Sequence, residues 1–106
     1  MLRIEVIKNN NKVKQVKFLG HANYDKYGKD IFCAAASATM LCTANAIISL
    51  DKDAIEVIQE DNLQIINILK DDKTINILID NMLNCFKSLT IDYPNNIKIT
   101  KEEEKW

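Results

Sequence analysis

The stretch from Ile31 to Leu50 contains no charged residue, no glycine and no proline, and it is rich in alanine. This composition predicts a helix that is apolar around most of its circumference. Such a helix is buried on more than one side. Two stripes are expected to be covered: Phe32, Ala35, Thr39, Cys42 and Ala46 on one, and Ile31, Ala34, Ala38, Leu41 and Ile48 on the other. In so short a chain, we expect a sheet to cover one side and a second subunit to cover another.

Alternating apolar and polar residues predict strands on both sides of this helix. The alternating positions are Leu2, Ile4 and Val6; Val16 and Phe18; Ile55 and Val57; Leu63, Ile65 and Ile66; and Ile97 with Ile99. The first two strands are joined by Asn9, Asn10 and Asn11, and asparagine tolerates the left-handed backbone that a tight turn requires. The chain therefore begins with a hairpin, and a second hairpin follows the helix.

A second helix is predicted to begin after Asp71 or Asp72, either of which is a suitable N-cap. Its apolar positions recur at helical spacing: Ile75, Leu78, Ile79, Met82, Phe86 and Leu89. Pro94 ends it, because proline cannot continue a helix. The tail from Lys101 to Trp106 is expected to be a solvated end. The expected fold is α+β: one domain, residues 1–106, with two helices on one face of a largely antiparallel, five-stranded sheet in the order β-β-α-β-β-α-β.

The charge balance and the cysteine count restrict the possible functions. The 106 residues carry 14 basic and 15 acidic side chains, a net charge of −1, so no overall positive field favours nucleic acid. We expect no direct nucleic-acid partner. Three cysteines with one histidine do not supply a convincing zinc site, and we expect no metal and no cofactor. Cys42 and Cys85 are expected to be packing residues. The charged N-terminus is not a signal peptide and no run could span a bilayer, so a cytoplasmic location without membrane contact is expected.

The segment from Gly20 to Ser37 carries the residues with chemical potential. His21 is the only histidine of the chain. Asp30 is a good N-cap for the first helix, and Cys33 then falls in the first turn, where unpaired backbone N–H groups and the helix dipole favour a thiolate. A thiolate beside an imidazole is the minimum apparatus for acyl transfer. From the residues alone, a buried structural cysteine and an ordinary loop histidine remain the alternatives.

A family resemblance weighs in favour of catalysis. The motif Gly20-His21-Ala22, Tyr24, Gly28, Asp30-Ile31, Cys33-Ala34-Ala35 and Ser37 resembles the signature of the ribosomal-processing cysteine protease family, Prp. Phe32 and Ala36 stand where the family pattern has valine, and both changes exchange one apolar residue for another. The C-terminal segment with Tyr93-Pro94 also resembles the family's ending.

This resemblance implies a cysteine endopeptidase and a homodimer. The implied substrate is the N-terminal extension of bacterial large-subunit ribosomal protein twenty-seven, which is removed during ribosome assembly. Cys33 is the expected nucleophile and His21 the acid and base, while Asp30 either caps the helix or orients His21. We expect substrate contacts at Gly20, Tyr24, Gly28 and Ser37. The alternative is a non-catalytic, ribosome-associated module that holds a peptide with the same loop.

Overall fold

The computed structural model describes residues 2–20, 31–61 and 63–103, and for residues 31–33 it describes the backbone only. The elements are β1 (Leu2–Asn9), β2 (Lys12–Leu19), α1 (Ile31–Leu50), β3 (Ile55–Glu60), β4 (Leu63–Ile68), α2 (Lys73–Asp92) and β5 (Ile97–Glu103). The predicted fold class and the predicted order of elements are confirmed. The predicted ends of both helices are confirmed as well.

The first hairpin turns on two asparagines. Asn10 and Asn11 have φ values of 54° and 64°, in the left-handed region. Two successive residues with positive φ form the type of turn whose twist matches that of the strands on either side. The asparagine run therefore joins β1 to β2 as the sequence predicts.

The five strands lie in the order β3-β4-β2-β1-β5. The pairs β1·β2, β2·β4 and β3·β4 are antiparallel, whereas β5 runs parallel to β1. The predicted last strand, residues 97–99, is too short: Lys101, Glu102 and Glu103 are exposed to solvent as expected, but they belong to β5 and pair with Val6, Ile7 and Lys8. Charged side chains suit this position, because β5 is an edge strand and charge discourages pairing with another chain.

Both helices cover the same face of the sheet. Leu2, Ile4 and Val6 of β1 are almost completely buried, while Arg3 between them is exposed. From α2, Phe86 reaches this face and packs against Phe18 with a ring separation of 5.4 Å. The other helix, α1, contacts both α2 and β3. The core is therefore a single layer between one sheet face and a pair of helices.

The packing of α2 follows its sequence pattern. Asp72 is the N-cap, and its carboxylate accepts a hydrogen bond from the Ile75 backbone N–H at 3.1 Å. The buried residues are Ile75, Ile79, Met82, Leu83 and Phe86, with Leu78 and Leu89 packed against them. Polar residues occupy much of the rest of α2, so the apolar face is distinct and the prediction is confirmed.

The predicted helix α1 is confirmed, but the side of it that packs on the core is neither of the two predicted stripes. Its buried residues form one stripe of Ala36, Met40, Ala44 and Ile47. The two predicted stripes are open to solvent at Ala34, Ala35, Ala38, Leu41, Cys42, Ala46 and Ile48. The cysteines predicted to be packing residues, Cys42 and Cys85, are also exposed. Because α1 is apolar nearly all round, its sequence does not distinguish the side that meets the sheet.

Ion pairs join the elements at the end of the molecule where α1 finishes and α2 begins. Lys70 pairs with Asp51 at 2.8 Å, and Lys12 of β2 pairs with Asp71. The hydrogen bond from Lys70 lowers the pKa of Asp51, and the hydrogen bond from Lys12 lowers the pKa of Asp71. All four groups face water, where such pairs contribute little to stability. Within the described ranges, neither helix has the length and apolarity that a bilayer span requires.

Candidate active site

The chain leaves β2 through a glycine in a left-handed backbone conformation. Gly20 has a φ of 76°, in the left-handed region. A side chain with a Cβ atom is disfavoured there by roughly 1–2 kcal/mol, whereas glycine is not. Leu19 just before it is paired with both Arg3 and Leu63, so the end of β2 is held from both sides. Gly20 thus sets the direction in which the chain continues towards His21.

The helix α1 begins at Ile31, which places the backbone of Cys33 in the first turn, as predicted. No acidic residue lies in this turn. The first four N–H groups of a helix have no partner within the helix, and their dipoles favour a negative charge nearby. The fold therefore supplies the backbone environment that a cysteine thiolate requires.

The structure describes some of the remaining predicted site residues and not others. His21, Tyr24, Gly28 and Asp30 lie outside the described residues. Ser37 lies one helical turn after Cys33 and is half-buried. The structure thus describes both ends of the predicted site, which are Gly20 at the end of β2 and the first two turns of α1.

Ala36 anchors this end of α1, a role that the sequence alone did not reveal. Its side chain is only 4% exposed, and it belongs to the same buried stripe as Met40. A buried alanine lets the helix backbone approach the layer beneath it closely. By helical spacing, position 33 lies two turns before Met40 and continues the line of this stripe. The packing of Ala36 therefore determines where the first turn of α1 is held.

In the described part of the chain, no three His, Cys, Asp or Glu side chains are grouped so that they could hold a metal ion.

The motif and the fold together define a cysteine protease. The family model of the cysteine protease Prp matches residues 1–98, and the chain therefore belongs to the Prp family. A similar curated protein is the ribosomal processing cysteine protease Prp of Staphylococcus aureus strain Mu50. It is 29% identical over 103 residues, which cover 93% of this chain and 97% of the relative.

Two solved structures of an essential ribosomal processing protease Prp from Staphylococcus aureus share the fold. One is a complex with a covalently linked product peptide. Its TM-score is 0.89 at 27% identity, and the match covers 96% of this chain and 100% of that chain. The other is a complex with a substrate peptide, with a TM-score of 0.86 and 26% identity over the same shares, 96% and 100%. The likeness thus extends over almost the whole chain.

Enlarging Ala36 tests its anchoring role. We expect Ala36→Leu to lower the free energy of unfolding by about 1–3 kcal/mol, because a larger side chain does not fit beneath α1. The exposed neighbour Ala35 is the matched control, and Ala35→Leu should change stability by less than about 0.5 kcal/mol. Urea denaturation of both variants measures the difference. Equal effects of the two substitutions would contradict the assignment of the buried stripe.

Proposed function

We propose that this chain is a cysteine endopeptidase in which Cys33 is the nucleophile and His21 the acid and base. The family match over residues 1–98 carries this proposal. The start of α1 at Ile31 supports it, because the nucleophile then lies in the first helical turn. As for location, we propose that the enzyme works in the cytoplasm, where ribosomes are assembled.

The proposed reaction has two stages. The Cys33 thiolate attacks the scissile carbonyl and forms a C–S bond, and backbone N–H groups of the first turn of α1 are the candidate donors to the oxyanion. The C–N bond then breaks, and His21 gives its proton to the leaving amine. In the second stage His21 takes a proton from water, which attacks the thioester and releases the acid product and the thiolate.

For the substrate, we propose the N-terminal extension of bacterial large-subunit ribosomal protein twenty-seven, which is removed during ribosome assembly. This assignment rests on the family resemblance and on the curated relative, which is named as a ribosomal processing protease. The Staphylococcus aureus structures with a product peptide and a substrate peptide support a peptide as the ligand. Gly20, Tyr24, Gly28 and Ser37 are the proposed substrate contacts.

The nucleophile is tested with a synthetic peptide that spans the junction between the extension and the mature ribosomal protein. We expect the wild-type chain to cleave it and Cys33→Ala to lose about 10⁴-fold or more in rate, because no other group replaces the thiolate. Cys85→Ala removes an exposed cysteine from α2 and should retain full activity. Mass spectrometry of the products measures both.

The reactivities of the three cysteines, Cys33, Cys42 and Cys85, distinguish an enzyme from a non-catalytic peptide-binding module. A thiol-directed alkylating probe near neutral pH should modify Cys33 faster than Cys42 and Cys85, since a thiolate and not a thiol reacts. Cleavage that persists in Cys33→Ala, or labelling of Cys33 no faster than that of the other two, would contradict the protease mechanism.

Asp30 has one of two roles, and three substitutions distinguish them. Asp30→Asn and Asp30→Ser both keep an oxygen that can cap a helix but lose the negative charge, whereas Asp30→Ala loses both. If Asp30 orients His21, the Asn and Ser variants lose cleavage by up to about 10⁴-fold at unchanged stability. If it only caps α1, these two variants stay active and the Ala variant loses about 1 kcal/mol of stability. Cleavage rates and urea denaturation, measured together, give the answer.

We also propose a homodimer formed through the exposed face of α1. Leu41 and Ile48 are each 41% exposed although they are large and apolar, and they lie on the same side of the helix. The smaller apolar residues Ala34, Ala38 and Ala46 on the exposed part of α1 leave room for close approach by a second helix. This face is the part of α1 for which the sheet provides no cover.

A charge placed on this face should dissociate the dimer. We expect sedimentation velocity to give a species of twice the 12.1 kDa chain mass for the wild type and a monomer for Leu41→Glu combined with Ile48→Glu. Ile91→Glu is the control, because Ile91 is 79% exposed at the far end of α2. A wild-type monomer, or a dimer that survives the double substitution, would show that α1 is not the interface.

A further inference from the structure

A groove lies on the flank of α2 that faces β5, away from α1. It consists of two cavities of about 380 Å³ and about 240 Å³. Lys87 of α2 and Lys101 of β5 line both cavities and so make them continuous. The other lining residues are Thr90, Pro94, Ile97, Lys98 and Ile99 for the larger cavity and Lys8, Asn11, Asp80, Leu83 and Asn84 for the smaller one. We call this feature the basic groove.

Positive charge in the basic groove exceeds negative charge. Lys8, Lys87 and Lys101 line it, and Asp80 is the one acidic residue among its described lining residues. Lys98 also borders the larger cavity, but as the strand partner of exposed Arg3 it belongs to the opposite face of the sheet and is not counted. A further carboxylate, Glu103, is the strand partner of Lys8 at the rim. The surplus is local, because the chain as a whole has a net charge of −1.

Lys87 lies close enough to Lys101 to perturb it. The neighbouring Lys87 side chain holds the pKa of Lys101 below its usual value, and partial burial and the charge of Lys8 act in the same direction. Asp80 acts in the opposite direction and does not compensate for them. Crowding of like charges is unfavourable unless an anion shares the site.

The groove also offers neutral hydrogen-bond donors. Asn11 and Asn84, whose side-chain amides can donate, line the smaller cavity beside the lysines. Phosphate is the common anion that combines a charge of about −2 with several acceptor oxygens, and lysine is a frequent ligand for it. We propose that the basic groove binds a phosphate group, carried either by a small phosphorylated molecule or by the backbone of RNA.

This site is separate from the candidate active site. The groove residues lie on β1, α2 and β5 and in the connections next to them, whereas Gly20, Cys33 and Ser37 lie at the end of β2 and in α1. The inference therefore does not depend on the proposed proteolysis, and the two can fail independently.

Isothermal titration calorimetry at low salt tests the site with two probes, sodium pyrophosphate and a ten-nucleotide single-stranded RNA. We expect at least one probe to bind the wild type and to lose about tenfold or more in affinity in Lys87→Gln combined with Lys101→Gln, because two charge-assisted contacts are removed. Binding of pyrophosphate indicates a small phosphorylated ligand, and binding of RNA alone indicates its backbone as the source.

Two matched variants control for net charge and for folding. Lys52→Gln combined with Lys73→Gln removes the same charge from exposed positions outside the groove and should leave affinity within about twofold. Lys87→Arg combined with Lys101→Arg keeps the charge and should retain binding. Peptide cleavage should be unchanged in the Gln variant of the groove.

Three results would overturn the phosphate site. The first is that the wild type binds neither probe, and the second is an equal loss of affinity in the groove variant and the Lys52/Lys73 variant. The third is stronger binding of a polyglutamate peptide than of both phosphate probes, since carboxylates would then satisfy the groove better than phosphates do.

Discussion

The contact between one stripe of α1 and the layer beneath it determines how the rest of the molecule is arranged. Ala36, Met40, Ala44 and Ile47 are the only residues of α1 that are fully buried among its described side chains. Because two of the four are alanines, the helix axis can lie close to the core. The first turn of α1 comes directly before this stripe along the helix. The position of a nucleophile in the first turn of α1 thus depends on the packing of Ala36, about one turn further along the helix.

The same contact leaves most of α1 without cover. Both helices lie on one face of the sheet, and no further layer of the described residues buries the rest of this apolar helix. The exposed side of α1 is the surface that the proposed homodimer would cover. Small size and an alanine-rich helix together favour association.

The strands and α2 were predictable because apolar and polar residues fall on different faces in their sequences. Alternation in Leu2–Val6 separates an inner from an outer face, and the polar residues of α2 mark its outer side. In α1 the contrast is missing, so the predicted stripes, including Cys42, were wrong. The extension of β5 to Glu103 was also missed, because Lys101 to Glu103 are charged and their pairing with β1 involves residues at the other end of the chain.

The amino-acid sequence by itself determined the motif on which the family resemblance rests, the order of the elements and the turn at Asn10 and Asn11, since these depend on residue identity and on local backbone preference. Only the tertiary structure decided which side of α1 faces the core, that β5 runs parallel to β1, and that Lys8, Lys87 and Lys101 share one groove. The physical reason is that these features arise from contacts between distant segments, which local periodicity does not encode.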